Sequence, residues 1–396
     1  MAFAGVVTFL DLYATQPLLP QLAGDFHASA AAVGLTVSAP TAAVALLAPI
    51  FGAWGDRLSR TRTILVSMLA LALSTLLAAT ATGLYSLVFW RFLQGAATPG
   101  VYVMALAYLS EEAGPASIGK AMAAFVTGNV IGGFAGRALT GAVAARFGWP
   151  SAFVVLGVLN LLGALVTWRN LAPSRHFVPH TGPREQLLQR FSALATPRLL
   201  ASFAIGFNVL FCLVATFTYV VFYLAAPPFG LGSGSLSAVF SVYLIGAVVT
   251  PVAGRAIDRA GARRVLVVAV LAGAAGMLLT LVPSLPVVVL GLAITCSSAF
   301  ASQSASISQL RVAAPPRLRS LASGAYVTFY YLGGSAAGVA PGLLWPWAHW
   351  AGCVALVVCT GLVTMALALR FWADAAPANG TPPLGPLAQR AGGPTA

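Results

Sequence analysis

Charged side chains are scarce in this sequence. Asp, Glu, Lys and Arg make up only 7% of its 396 residues, 59% are hydrophobic, and the mean hydropathy is +0.90. A soluble globular protein has about 25% charged residues, and a chain with so few cannot cover its surface in water. The scarcity excludes a soluble domain, and the long apolar runs predict an all-α integral membrane protein.

Acidic residues are the rarest charged groups, with 8 Asp and Glu against 21 Lys and Arg and a net charge of +13. The basic residues fall in short gaps between apolar runs, where they act as topology signals. The sequence has no long segment in which basic and aromatic residues alternate, so we expect no nucleic-acid partner. No nucleotide-binding glycine loop is present, so we expect neither ATP-driven transport nor a cofactor.

Metal-ligand patterns are also missing. The 4 cysteines lie inside apolar runs, and the 4 histidines lie in loops or at helix ends. Neither set has metal-ligand spacing, so the sequence predicts no metal site and no disulfide framework. An enzyme would need clustered His, Asp or Glu within the helices, and we therefore expect no enzyme.

Twelve apolar runs are long enough to cross a bilayer, which takes about 20 residues. They are predicted at residues 2–22, 31–54, 63–81, 84–108, 121–145, 150–168, 199–225, 236–254, 264–283, 286–307, 320–343 and 350–371. The first run lacks a basic leading segment and a small-residue cleavage site, so we expect a helix there rather than a signal peptide.

The longest polar gap divides the chain. We predict a six-helix bundle at 1–168, a cytoplasmic linker at 169–198, a second six-helix bundle at 199–372 and a disordered cytoplasmic tail at 373–396. Within the linker, residues 184–194 form either an amphipathic helix on the membrane surface or a flexible segment. With both termini in the cytoplasm, most basic residues between spans face inward, as the positive-inside rule requires.

Two pairs of segments recur at nearly the same separation. GAWGDRLSRTR at 52–62 resembles GRAIDRAGARR at 254–264, an offset of 202, and IGGFAGRALTG at 131–141 resembles LGGSAAGVAPG at 332–342, an offset of 201. Such offsets indicate a duplicated six-helix unit. Parallel repeats of this kind are typical of transporters that rock about a site near the membrane midplane.

The first repeated pair resembles the signature after the second helix of the major facilitator superfamily, Gly-x-x-x-Asp-Arg-x-Gly-Arg, with Ser59 where Gly is usual. An Asp followed by arginines at the inner face forms pairs that hold one conformation and break in the other. The alternative is that the arginines only set topology. The predicted gating residues are Gly52, Asp56, Arg57, Arg60, Gly254, Asp258, Arg259 and Arg263.

Arg91 lies within the predicted span 84–108, where a charge costs about 2.5–3.5 kcal/mol on insertion scales. The segment WRFLQG, which holds Arg91 and Gln94, resembles the Arg-x-x-Gln-Gly motif of the superfamily. That resemblance implies a part in proton transfer. The alternative is an arginine that snorkels to the membrane surface.

The run 121–145 resembles the antiporter motif of the drug:proton antiporters, with Gly133 where the family has Pro and Arg137 where it has the last Gly. Rows of small residues let two helices approach closely. Arg137 either attracts an anionic substrate group or snorkels outward. The residues predicted to pack against a neighbouring helix are Gly128, Gly132, Gly133 and Gly136.

Asp11 is the one carboxylate that we place inside a span, in the stretch FLDLYATQPLLPQL. A carboxylate whose surroundings alternate between wet and dry can bind and release a proton near neutral pH. Pro17 and Pro20 would kink the first helix beside a cavity. The stretch resembles bacterial inner-membrane efflux members of the superfamily, which implies that Asp11 and Arg91 couple transport to protons; the alternatives are a snorkelling carboxylate or a substrate contact.

The resemblance implies twelve transmembrane helices in two pseudo-symmetric six-helix bundles. It also implies alternating access and proton-coupled efflux of a small organic compound, such as a drug, sugar or metabolite, by a monomer in the bacterial inner membrane. A proton symporter, a uniporter and a non-transporting receptor are the alternatives. The predicted cavity-lining residues are Tyr13, Gln16, Gln94, Asn129, Arg137, Asn208, Tyr219, Tyr326 and Tyr330.

Overall fold

The computed structural model describes residues 2–54, 59–112, 117–171, 174 and 194–372, and its regular elements there are helices. The α-helices are α1 (Ala2–Leu12), α2 (Leu19–Asp25), α3 (Ala30–Trp54), α4 (Arg60–Ala78), α5 (Leu84–Glu112), α6 (Ile118–Asn170), α7 (Pro197–Ala225), α8 (Ser233–Val239), α9 (Gly246–Ala260), α10 (Ala262–Leu279), α11 (Leu285–Ala313) and α12 (Arg319–Phe371). Short 3-10 turns occupy Gln16–Leu18, Phe240–Ile245 and Pro316–Leu318.

Nine helical segments of the described chain are long and apolar enough to cross a membrane. Two of them, α6 and α12, have 53 residues each, or about 80 Å at 1.5 Å per residue, against a hydrocarbon core of about 30 Å. Each breaks at one residue with positive φ, Gly148 and His349. Counting each of the two as a pair, and adding residues 2–25, these segments accommodate the twelve predicted spans.

Several element bounds differ from the prediction. The first span is not one helix over 2–22, because α1 ends at Leu12 and the chain turns through Gln16–Leu18 before α2. Pro17 and Pro20 cause the break, since proline lacks the N–H that a helix interior needs and is tolerated in a first turn. Helices α5 and α11 run past the predicted ends at 108 and 307 because polar residues continue their last turns.

Helices pack on one another within each half, and one large hydrophobic cluster contains residues of both halves. In the first half α1 packs on α6 and α5 packs on α3 and α4, while in the second α7 packs on α12 and α10 on α11. Between the halves, α3 packs on α12 and α6 packs on α8. The predicted linker helix at 184–194, except Leu194, and the tail at 373–396 lie outside the described residues.

The two halves meet at one end of the bundle, near the connections that follow α2 and α7. Gly34 and Gly338 lie so close that a methyl group on Gly34 would overlap the Gly338 carbonyl. Two hydrogen bonds join α3 to α12: Ser38 Oγ donates to the Ser335 carbonyl at 2.5 Å, and Ser335 Oγ donates to the Ser38 carbonyl at 3.1 Å. We call this region the closed end; Gly141 of α6 packs there against α8.

Candidate functional site

Asp11 lies at the break in the first span and is 1% exposed. Where α1 ends, the carbonyls of its last residues lose their helical partners. Arg91 of α5 donates to two of them, through Nη1 to the Asp11 carbonyl at 2.6 Å and through Nη2 to the Leu12 carbonyl at 2.7 Å, and the Asp11 carbonyl also accepts from the Ala14 N–H at 3.0 Å. Its Nε donates to the Thr36 carbonyl of α3 at 2.9 Å. Arg91 thus ties the end of α1 to a second and a third helix.

The side chain of Arg91 is fully buried, with 0% exposed, so it does not snorkel to the surface. Its hydrogen bonds go to three backbone carbonyls and to Gln94 Oε1 at 2.6 Å. The Asp11 carboxylate is not one of its hydrogen-bond acceptors. The guanidinium therefore acts on the carboxylate through its charge, while its hydrogen bonds position the backbone.

The Asp11 carboxylate is held by a residue that the sequence analysis missed. Asn160 Nδ2 donates to Asp11 Oδ2 at 2.6 Å and lies 3.3 Å from Thr75 Oγ1, which accepts from Gln94 Nε2 at 2.9 Å. Asp11 Oδ1 is buried and has no hydrogen-bond partner among the described residues. The available signal was that Asn160 is the one amide side chain in the apolar run 150–168. One carboxylate oxygen is thus fixed by a hydrogen bond, whereas the other is not.

A second polar cluster surrounds Arg137, which is 2% exposed. Its Nε donates to Gln16 Oε1 at 2.7 Å and its Nη1 donates to the Gly133 carbonyl at 2.5 Å. Gln16 Nε2 in turn donates to Thr218 Oγ1 of α7 at 3.0 Å. This chain of hydrogen bonds runs from α6 through the first span to the second half.

Aromatic rings pack around the same guanidinium. The carbon Cζ of Arg137 lies 4.3 Å from the ring centroid of Tyr243, 4.8 Å from that of Tyr13 and 5.3 Å from that of Phe240. Tyr13 belongs to the first half, whereas Tyr243 and Phe240 belong to the second. Guanidinium groups are attracted to ring faces within about 6 Å, so Arg137 binds the two halves together near the closed end.

The predicted cavity residues do not share one site. Gln94 belongs to the Asp11 cluster, and Asn129 lies against Gly5 of α1. Tyr219 donates its hydroxyl to the Gly338 carbonyl at 2.6 Å, at the closed end. Asn208 lines a separate cavity of about 50 Å³ between α7, α10, α11 and α12, inside the second half.

Two predicted tyrosines form a stack on α12. The rings of Tyr326 and Tyr330 are 5.9 Å apart, and the Tyr326 ring packs beside Gly206 of α7. Tyr330 also meets the edge of Tyr331 at 5.6 Å. Aromatic pairs of this kind stabilise packing between helices.

The glycine row of α6 faces α1. A methyl group on Gly132 would overlap the Val6 carbonyl, and one on Gly136 would overlap the Leu10 carbonyl. Gly128 is buried on the same helix. Gly133 lies on the neighbouring row, and its carbonyl accepts from Arg137 instead of packing on α1.

The gating motif is described only in part, because Asp56 and Arg57 lie outside the described residues. Gly52 lies near the end of α3, and Arg60 forms an ion pair with Glu111 of α5, with Nη2 and Oε1 2.7 Å apart. In the second half, Arg263 Nη2 donates to the Leu369 carbonyl at 3.0 Å. Gly254, Asp258 and Arg259 lie in α9.

Membrane-spanning helices in two similar halves, with a buried arginine at their junction, are typical of secondary transporters. The chain belongs to the Major Facilitator Superfamily, whose sequence profile matches residues 1–338 and 213–391. It is 33% identical over 370 residues to YybF, an uncharacterized MFS-type transporter of Bacillus subtilis (strain 168), covering 93% of this chain and 90% of that protein. It is 30% identical to the inner membrane transport protein YnfM of Escherichia coli (strain K12), over 93% of this chain and 88% of that one.

Solved structures share the fold. A bacterial homolog of the human lysosomal transporter Spinster, in an inward-facing and unoccupied conformation, matches with a TM-score of 0.77 at 16% identity, over 94% of this chain and 97% of that chain. The nucleoside transporter NupG matches with a TM-score of 0.80 at 13% identity, over 94% and 98%. The predictions of the superfamily, of its fold and of a non-enzymatic transporter are confirmed, and the protein is a multi-pass secondary transporter that works by alternating access.

Proposed function

We propose that this transporter exports a small organic compound in exchange for protons, with Asp11 as the proton-binding group. The observation that carries the proposal is the state of its carboxylate, which is buried with one oxygen bonded to Asn160 and the other without a partner. Leaving a charged oxygen buried and unpaired is costly, and a proton removes that cost. The setting is the bacterial inner membrane, with a monomer and both termini in the cytoplasm.

The position of Asp11 supports a coupling role. It lies where α1 stops and where Arg91 holds the freed carbonyls, so the carboxylate is at a joint rather than within a rigid helix. When the halves swing and water reaches this joint, the carboxylate ionises again. A group that is dry in one conformation and wet in the other converts the swing into the uptake and release of a proton.

The test is the substitution Asp11→Asn in proteoliposomes under a pH gradient, with a compound taken from a resistance and growth screen of expressing cells. Asparagine still accepts the hydrogen bond from Asn160 but cannot titrate. We expect uphill export to fall at least tenfold while exchange of labelled for unlabelled compound continues. Asp25→Asn, at an exposed carboxylate on α2 of the same span, is the matched control and retains export.

The outcomes separate exchange from the other transport modes. Uphill export by the Asp11→Asn variant would show that the carboxylate is not the coupling group. Protons and compound moving in the same direction would identify a symporter, and flux that ignores the pH gradient would identify a uniporter. Binding of the compound without any flux would identify a receptor.

A further inference from the structure

Arg137 is a buried cation without an acidic partner among the described residues. Two other buried charged side chains named above, Asp11 and Arg91, have opposite charges and belong to one hydrogen-bonded cluster, so they compensate each other. The electrostatic neighbours of Arg137 are Tyr243, Tyr13 and Cys296, none of them a carboxylate. A buried charge that the fold does not compensate marks a functional site.

The guanidinium keeps donors for a ligand. Arginine has five N–H donors, and here one on Nε and one on Nη1 are used, by Gln16 and by Gly133. The remaining donors include both on Nη2, and paired donors at the edge of a guanidinium match the two oxygens of a carboxylate. The rings of Tyr13, Tyr243 and Phe240 lie within 5.3 Å of the guanidinium carbon and provide aromatic surface beside it.

The location suits a transported ligand. Gln16 and Tyr13 come from the first half, whereas Tyr243, Phe240 and Thr218 come from the second. A molecule bound at Arg137 therefore contacts both halves. Contact with both halves lets a ligand favour one arrangement of them over the other, as alternating access demands.

We propose that Arg137 binds the carboxylate of the transported compound, and that the substrate class is an organic monoanion with an apolar or aromatic body. The proposal rests on the transport function proposed above and names its substrate. One arginine neutralises one negative charge, so a monoanion leaves the buried pair neutral, whereas a phosphomonoester dianion leaves an excess charge. The three rings supply the surface for the apolar body.

The competing role for Arg137 is that of a clasp, in which attraction to Tyr243 and Phe240 only holds the halves together. A clasp needs no ligand, and its loss would not change the selectivity of binding. The two roles therefore differ in what the purified protein binds.

The experiment measures binding to the full-length transporter in detergent by isothermal titration calorimetry. The probes are benzoate, its neutral analogue benzamide, the cation benzylammonium and the dianion phenyl phosphate. We expect saturable binding of benzoate at least tenfold tighter than that of the other three. Equal affinities for benzoate and benzamide, or no binding of benzoate, overturn the proposal, and this comparison uses the unsubstituted protein, so it does not depend on a variant folding.

The variant Arg137→Gln is then expected to lose at least tenfold in benzoate affinity, with a smaller loss in Arg137→Lys, which retains the charge but not the paired donors. Arg146→Gln, at an exposed arginine of the same helix, is the control and binds benzoate normally. Unchanged benzoate affinity in Arg137→Gln assigns the clasp role and overturns the proposal.

The failure of this proposal is distinguishable from the failure of proton exchange, because binding in detergent needs no gradient. Benzoate that binds through Arg137 without proton-driven flux supports the anion site and contradicts the exchange mechanism. Proton-driven export of neutral or cationic compounds, with no benzoate binding, contradicts the anion site alone.

Discussion

Replacing Arg91 with alanine tests whether this arginine holds the break in the first span. The substitution removes four hydrogen bonds of 2.6–2.9 Å and leaves the carbonyls of Asp11, Leu12 and Thr36 without that donor. A buried polar group that loses its partner costs about 1–3 kcal/mol. Water entering the vacated space recovers part of this, and we expect a net loss of about 3–5 kcal/mol, the usual cost of breaking a buried charged network.

The assay measures thermal unfolding of the purified transporter. Samples are heated to a series of temperatures, and size-exclusion chromatography then gives the fraction that remains folded. At about 2–4 °C per kcal/mol, a loss of about 3–5 kcal/mol means that Arg91→Ala should lower Tm by about 6–20 °C. Arg146→Ala removes an exposed arginine and should leave Tm within about 2 °C, the small effect of an ordinary surface substitution.

A double variant identifies the cause of the loss. If Arg91 mainly offset the charge of Asp11, Asp11→Asn would restore stability to Arg91→Ala. Because its hydrogen bonds go to backbone carbonyls and Gln94, we expect no such recovery. A Tm of Arg91→Ala within 2 °C of the unsubstituted protein, or full recovery in the double variant, would refute the reasoning.

Two further predictions concern packing at the helix contacts. Gly136→Leu forces a side chain into the backbone of α1 at Leu10, and we expect it to lower the free energy of unfolding by about 3 kcal/mol. The control Gly119→Leu, on the same helix, places its side chain in open space and should leave Tm unchanged. Equal Tm values for the two variants would contradict the close contact. The pair Ser38→Cys and Ser335→Cys should form a disulfide on oxidation, protect both thiols from a maleimide mass tag, and stop transport until a reductant is added. Full flux by the cross-linked protein would show that the closed end need not open.

Composition and motif spacing were sufficient to predict the helical membrane class, the superfamily and nearly all the spans. These features depend on the length of the apolar runs and on the spacing of the repeat, and both can be counted along the sequence without knowledge of tertiary contacts. The break at Leu12 was predicted only as a kink, because Pro17 and Pro20 show that a helix is disturbed and not where it ends. Ends of helices such as α5 depend on local capping and continue beyond the apolar run.

The composition of each site was harder to predict. Asp11 and Arg91 can be grouped from the sequence because buried charges are rare, and the structure places both in one polar cluster. Their connection through Asn160 and Thr75 depends on which helices become neighbours. Asn208 was expected to line a cavity between the two halves. It lines a cavity inside the second half instead. Spacing along a helix predicts which residues share one of its faces. Which helix packs against that face is decided by the tertiary fold.

Gln16 and Thr218, which hydrogen-bond to each other, are separated by 202 positions, the same separation as the duplicated signature. The shared separation indicates that they are equivalent positions of the two copies, and a contact between equivalent positions lies on the axis that relates the copies. In a dimer of identical six-helix chains, the residue at this position would contact its own copy in the partner. The same residue type would then have to act as both the donor and the acceptor of the hydrogen bond. Joining the copies in one polypeptide removes that requirement, which allows an amide on one side, a hydroxyl on the other, and a lone arginine attached to only one of them.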